Sequence, residues 1–251
     1  MTSSGVTLDR AAFGYRDTSF LFDHRFPAGR VTAVMGPSGA GKTTLLHLVA
    51  GFERPRAGRV MIGNTDVTLL PPDRRPVSMV FQENNLFAHL SVEQNVGLGL
   101  DPGLRLSARQ RAAVSAALDR VGLADKGKRL PRELSGGERS RVALARAALR
   151  DRPVLLLDEP FAALGPALRQ SMLSIIDALR REGGLTVLFV THQPEDAEAI
   201  ADEVLFLEQK GNSLSGNAAN FFGPLGPSAF RAYIGAAAAK PDRPAPLPKP
   251  T

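Results

Sequence analysis

The densest chemistry in the chain lies in nine residues, GPSGAGKTT at 36–44. They fit the pattern G-x-x-x-x-G-K-[ST], in which a glycine-rich loop cradles phosphates. Glycines let successive backbone N–H groups wrap an anion, and the positive end of the following helix adds to that field. In this reading Gly36, Pro37, Ser38, Gly39, Ala40, Gly41 and Thr44 line the cradle. Lys42 reaches the β- and γ-phosphates of ATP, and Thr43 holds Mg²⁺. The plain alternative, a flexible strand–helix turn, gives the lysine and the hydroxyls no task. VLLLDEP at 154–160 supplies carboxylates. Asp158 ends an apolar run and can reach Mg²⁺, while Glu159 can polarise an attacking water. Two adjacent acids after a strand are often only a solvated turn, but beside a phosphate loop they point to hydrolysis.

A third motif, RELSGGERSRVALARAAL at 132–149, can be read twice. Ser135 and Glu138 have the spacing of a capping box. That leaves Gly136 and Gly137 unexplained, because glycine inside a helix costs ~1 kcal/mol against alanine. The pair makes sense where an anion must approach the backbone, so capping and anion binding can coexist.

These motifs need strands and helices to carry them. Short apolar or alternating runs predict strands at 6–15, 19–26, 30–35, 58–63 and 76–81, with further strands at 154–158, 185–190 and 203–207. The run 154–158 is continuously apolar up to Asp158, as in a strand covered on both faces. Helices are expected at 41–51, from Ser107 to about Val121, at about 138–150, 166–182 and 194–201. Ser107 with Gln110 is a second capping box, and Gly122 follows its helix. The alternation describes an α/β fold. From Ala236 the chain reads AAAAKPDRPAPLPKPT, with five prolines in the last eleven residues. Such a segment cannot build a core and is expected to be extended or disordered. The division is thus one domain over 1–235 and a tail over 236–251.

Composition removes several classes. With no cysteine, disulfides, thiol catalysis and thiolate metal sites are excluded. MTSSGVTLDR lacks the apolar core of a signal peptide, and no apolar run approaches the ~20 residues that span a bilayer. A soluble, cytosolic chain is expected. The net charge of +6 does not indicate nucleic acid, because Arg is scattered and aromatics are only 6%. A diffuse basic surface beside anionic lipid suits it better.

With phosphate loop, LSGGE and acid pair in this order, the chain resembles the ATP-binding cassette ATPases over residues 5–210. The resemblance implies a P-loop core of RecA type, an antiparallel β subdomain, and a helical signature subdomain over about 86–152. By position it implies that Gln82 contacts Mg²⁺ and the attacking water, that His192 contacts the γ-phosphate, and that Tyr15 stacks on adenine. It further implies a homodimer in which Ser135, Gly136, Gly137 and Glu138 of one copy face ATP held by the other. Two departures stand out. Glu138 replaces the family's usual glutamine, keeping the cap while adding negative charge near ATP. Gly165 replaces an aspartate that helps link the two ATP sites, which puts that coupling in doubt.

Cassettes also serve translation, DNA repair and fused exporters. This chain holds a single cassette, only 93 residues separate Lys42 from Ser135 (135 − 42), and membrane spans are missing. A small-molecule kinase has no use for LSGGE. What remains is a stand-alone subunit docked on a separate permease at the cytoplasmic face of the bacterial inner membrane. A periplasmic solute-binding protein is an indirect partner. ENNLFAHLSVEQN at 83–95 then acquires a role: Leu86, Phe87 and Leu90 as permease anchors, with Asn84 and Asn85 fixing orientation. The alternative is a satellite core under the helical subdomain. Residues 71–106, especially FQENNLF and NVGLGLDPGL, resemble thiamine-importer cassettes. Iron, polyamine, sulfate or molybdate remain the other solutes.

Overall fold

The structure is a computed structural model that describes residues 4–15, 18–83, 85–161, 164–208 and 212–238. Asn84 and the segment 239–251 lie outside the described residues. The expected strands are all present to within a residue. β1 (Val6–Tyr15), β2 (Thr18–Phe26), β4 (Ala57–Ile62) and the two-residue β5 (Thr65–Asp66) form an antiparallel sheet in the order β2-β1-β4-β5. β3 (Val31–Met35), β6 (Val77–Val80), β7 (Val154–Asp158), β8 (Thr186–Val190) and β9 (Glu203–Leu207) are parallel. With β10 (Ser213–Asn217) added antiparallel at one edge, the second sheet runs β10-β9-β3-β8-β7-β6.

Alternation along the parallel strands sorts side chains between two cores. Leu156, Leu188, Val190 and Leu205 face one side, packed with α1 (Lys42–Ala50) and with Val6, Leu8 and Phe26 of the antiparallel sheet. Helix α1 is therefore enclosed between the two sheets. Leu155, Leu157, Val187, Phe189 and Phe206 face the other side. There they meet α4 (Gly136–Leu149), α5 (Pro166–Gly183), α6 (Pro194–Ile200), α7 (Ala218–Phe222) and α8 (Ser228–Ala238). Helix α8 continues to Ala238, past Ala236 where the proline-rich tail was expected to begin. A third cluster joins α2 (Val92–Gly97), α3 (Ala108–Arg120) and α4 through Val92, Val96, Val114, Leu118 and Val142. Both sequence-read capping boxes, Ser107 with Gln110 and Ser135 with Glu138, are formed in full. The start of α4 lies at Gly136, two residues before the expected one, because the Ser135 cap places both glycines inside the first turn.

Arg75 fixes the far end of α1. It is fully buried and donates to the carbonyls of Leu48 (2.6 Å), Val49 (3.0 Å), Leu70 (2.9 Å) and Thr68 (3.1 Å). The first two are helix-terminal carbonyls that α1 leaves without intrahelical partners. Burial pushes the guanidinium down to about 10, still far above neutrality, so the cation persists. The helix ends on Gly51 at φ 87°, and a Cβ there would stand 2.5 Å from Arg75 Nε. Removing the guanidinium strands two buried and two part-buried acceptors. Arg75→Met is expected to lower unfolding free energy by ~3 kcal/mol or more, read as the guanidinium chloride midpoint. A loss below about 1 kcal/mol would mean that water replaces the side chain.

Candidate nucleotide site

The carboxyl ends of neighbouring parallel strands converge, as expected of ligand crevices in such sheets. β3 runs into Gly36–Gly41, β8 into Thr191 and His192, β7 ends on Asp158, and β6 leads to Gln82. Asp158 pairs level with Val190, and Val190 with Val34, so the three loops leave the sheet at one height.

The loop's glycines are required by conformation. Gly36, Gly39 and Gly41 have φ of 145°, 80° and 93°, a region that side chains disfavour. At Gly41 a Cβ would meet the Phe20 ring at 2.7 Å, and at Gly36 it would strike the Leu207 carbonyl. At Gly39 nothing lies within 4 Å, which leaves the backbone open to an approaching group. Lys42 is 6% exposed and donates to the Gly36 and Pro37 carbonyls at 2.8 and 3.0 Å. Burial lowers its ammonium, and Glu159 and Asp158 partly restore it. No ion pair reaches it among the described residues, so this desolvated cation draws an anion.

Thr43 donates to Asp158 Oδ1 at 3.2 Å. Burial raises the Asp158 carboxyl, and its Thr43 hydrogen bond opposes that shift. A hydroxyl beside a desolvated carboxylate is an all-oxygen pair suited to a hard cation that takes its other ligands from phosphate and water. The residues therefore fit Mg²⁺, with Gln82 as the exception. Gln82 is exposed in the turn after β6, and no hydrogen bond ties it to Thr43 or Asp158. Glu159 adopts φ 46°, a left-handed conformation that costs a non-glycine residue free energy and that clusters at functional sites. Its amide donates to Val190 O at 3.2 Å, and its carboxylate lies 2.6 Å from His192 Nε2. Tyr15, 53% exposed, donates to Glu53 at 2.9 Å, which raises its phenol, and leaves ring surface open.

The two signature glycines have different reasons. A Cβ on Gly136 would meet only Arg139 at 3.9 Å, which leaves that backbone approachable. On Gly137 it would collide with Leu168 of α5 and lie 3.2 Å from Leu164. Gly137 thus has a packing reason of its own to lack a side chain, the close approach of α4 to α5. Glu138 accepts from Ser135 N at 2.8 Å, and its other oxygen pairs with Lys126. The negative charge it adds is compensated by Lys126.

In the stretch 82–95 the side chains also divide. Leu86 is partly buried and packs against two cores. Phe87, half exposed, and Leu90 line a groove of about 660 Å³ together with Phe81, Leu98 and Pro102. Asn95, fully buried, organises this loop: it accepts from Phe87 N and donates to the Phe87, Leu90 and Ser91 carbonyls. Sequence reasoning assigned Asn95 no role, although its amide stood in an amide-rich stretch. Also missed were Arg169 and Asp196. Asp196 is buried, 3.7 Å from Arg169 Nε, and accepts from Thr191 at 3.3 Å, while Arg169 also donates to Leu164 O.

Fold and site together define a P-loop nucleotide hydrolase with an added helical subdomain. The ABC transporter family matches residues 22–162, and the chain belongs to that family. It is 61% identical over 233 residues to the thiamine import ATP-binding protein ThiQ of Mesorhizobium japonicum, covering 93% of this chain and 92% of that protein. The protein of the same name from Chelativorans sp. is 57% identical, covering 92% and 94%. Among solved structures, the dimeric ATP-binding cassette MJ0796 bound to ADP and Pi superposes with a TM-score of 0.75 at 27% identity. That match covers 85% of this chain and 98% of the cassette.

Gly165 caps α5 with no side-chain bond, Pro166 follows, and nothing lies within 4 Å of a Cβ placed there. Gly165→Asp therefore fits without strain and adds a cap. Its melting temperature should hold or rise, by at most ~1 kcal/mol of stability. Gly41→Ala, driven into Phe20 at a left-handed φ, should instead destabilise, and thermal unfolding of the two variants separates the cases.

Proposed function

We propose that this chain is the ATP-hydrolysing subunit of a bacterial importer that energises thiamine uptake through a separate membrane permease. The observation that carries the reading is joint. A phosphate loop, acid pair and histidine meet at adjacent strand ends, in a chain that matches proteins named for thiamine import along nearly its whole length. No helix among the described residues is long and apolar enough to cross a membrane, which agrees with a subunit that needs a permease partner.

The backbone of Gly36–Thr44, with Pro37, Ser38 and Ala40 in the loop, would hold the triphosphate, Lys42 its β- and γ-phosphates, and Tyr15 the adenine. Thr43, Asp158 and, after the loop at 82 moves in, Gln82 would hold Mg²⁺, which supplies charge neutralisation at the phosphates. Glu159 is the general base, and His192, whose Nε2 lies 2.6 Å from the Glu159 carboxylate, would meet the γ-phosphate. The dimeric cassette MJ0796 supports a second copy whose Ser135, Gly136, Gly137 and Glu138 complete the site. The groove at Phe87 and Leu90 receives the permease, and a periplasmic solute-binding protein delivers the solute to it.

Lys42→Ala should lose most MgATP affinity in calorimetry while its circular dichroism is retained. Glu159→Gln should slow hydrolysis by on the order of 10²–10⁴-fold; full ATPase activity in that variant would move the base elsewhere. The whole reading is tested in liposomes that carry the cognate permease and receptor. Thiamine should stimulate hydrolysis and uptake, and stimulation by another solute alone would reject thiamine. Phe87→Ala should leave ATP binding by the free subunit nearly unchanged. It should weaken permease association by ~2 kcal/mol, and normal coupling in this variant would assign Phe87 to packing.

A further inference from the structure

Glu138 occupies the third position of α4, close to the helix end that a polyphosphate from a second copy would approach. A helix N-terminus attracts anions through its unpaired N–H groups and dipole. A carboxylate in the first turn draws on that same field and repels a second anion. Here the carboxylate is held on both oxygens, by Ser135 N–H and by Lys126 Nζ. Lys126 belongs to a single 3-10 turn, Ala124–Lys126, in the connection from α3 to α4. Both side chains are about one-fifth exposed, so solvent screens the pair only partly. Arg139, a further cation at this helix end, is engaged with the Leu134 carbonyl at 2.7 Å and lies beside Gly136, so it does not pair with Glu138. Lys126 and the Ser135 amide hold the Glu138 carboxyl down at about 2, so Glu138 is ionised whenever the protein works.

We propose that Lys126 is a positioning residue of the composite ATP site: it cancels the Glu138 charge, so that Ser135 and Gly136 still present an anion-attracting helix end to nucleotide held by a second copy. This rests on the two-copy reading above. A glutamine at 138 makes the same capping bonds without a charge, so the need for Lys126 must disappear when Glu138 is neutral. A lysine that served only to brace the α3–α4 turn would be needed equally with either residue.

The test measures MgATP-driven dimerisation by sedimentation in a Glu159→Gln background, where slow hydrolysis preserves the nucleotide. Lys126→Ala should weaken dimerisation about tenfold, the scale of one uncompensated charge roughly 12 Å from a unit of phosphate charge at an effective dielectric of ~20. Lys126→Arg should stay within about threefold of the parent, since it keeps the charge. In Lys126→Ala/Glu138→Gln the loss should vanish relative to Glu138→Gln alone, and the tenfold gap of the single variant should narrow at high salt. An unchanged dimer in Lys126→Ala, or an equal loss in the glutamine background, overturns the inference. If Lys126→Ala melts early without nucleotide, Lys126→Gln replaces it in the same comparison. A parent that binds MgATP but stays monomeric overturns the two-copy reading instead, and this inference falls with it.

Discussion

Arg75 donates four hydrogen bonds into carbonyls around the end of α1, and the placement of everything near the nucleotide follows from that anchoring. Helix α1 carries Lys42 and Thr43 at its first turn and lies between two sheets that share no strand. Apolar packing holds it there but does not set how far it slides along its axis, since the hydrophobic effect is non-directional. The buried guanidinium sets that position, because each of its donors has a fixed direction. At the other end the left-handed Gly41 fixes the entry angle, with Phe20 and Phe22 closing over the space a side chain would need. Lys42 is thereby delivered to the loop's own carbonyls, and Thr43 to Asp158 on a strand more than a hundred residues away.

Much of this frame is legible in the sequence because the two sheets use period-2 alternation and unbroken apolar runs. The run 154–158 is apolar on both faces because one face meets α1 and the other α4 and α5. The elements that were not legible lack such a signal. β10 reads SLSGN and is a strand only because β9 offers it an edge. Helix α2 is six residues long, and its one clear mark is Ser91 with Gln94, a capping box of the kind recognised at Ser107. The site divides along the same line. Residues fixed by motif spacing fall at the strand ends as expected. Arg75, Asn95 and Asp196 could not be read, because a lone arginine, amide or acid gives no sign that the fold will bury it among partners distant in sequence.

Two positions depart from the family pattern, and the structure treats them differently. At Gly165 the helix loses a side-chain cap but keeps Pro166 in the first turn, where a missing N–H costs nothing. The space around it is open, so the fold is indifferent to that position and any consequence lies between subunits. At Glu138 the fold is not indifferent. The carboxylate does the capping work of a glutamine and recruits Lys126 from the preceding turn, tying the α3–α4 connection to the signature helix.

Leu164 and the start of α5 are held by elements that serve opposite ends of the proposed site. Gly137 lets α4 settle on Leu164 and Leu168, so the signature helix rests on this segment. From the other side, Arg169 bonds the Leu164 carbonyl and faces Asp196, whose carboxylate accepts from Thr191 next to His192. Asp196 is raised by burial first, with Arg169 and Thr191 opposing that shift, so the contact is a desolvated one with little freedom to rearrange in place. Glu159, with its carboxylate 2.6 Å from His192 Nε2, adopts a left-handed conformation at the end of β7. A displacement of His192 is thus opposed along two chains of contact, one through Glu159 and one through Thr191, Asp196 and Arg169. The second leads to Leu164, which together with Leu168 packs against Gly137 of the signature helix.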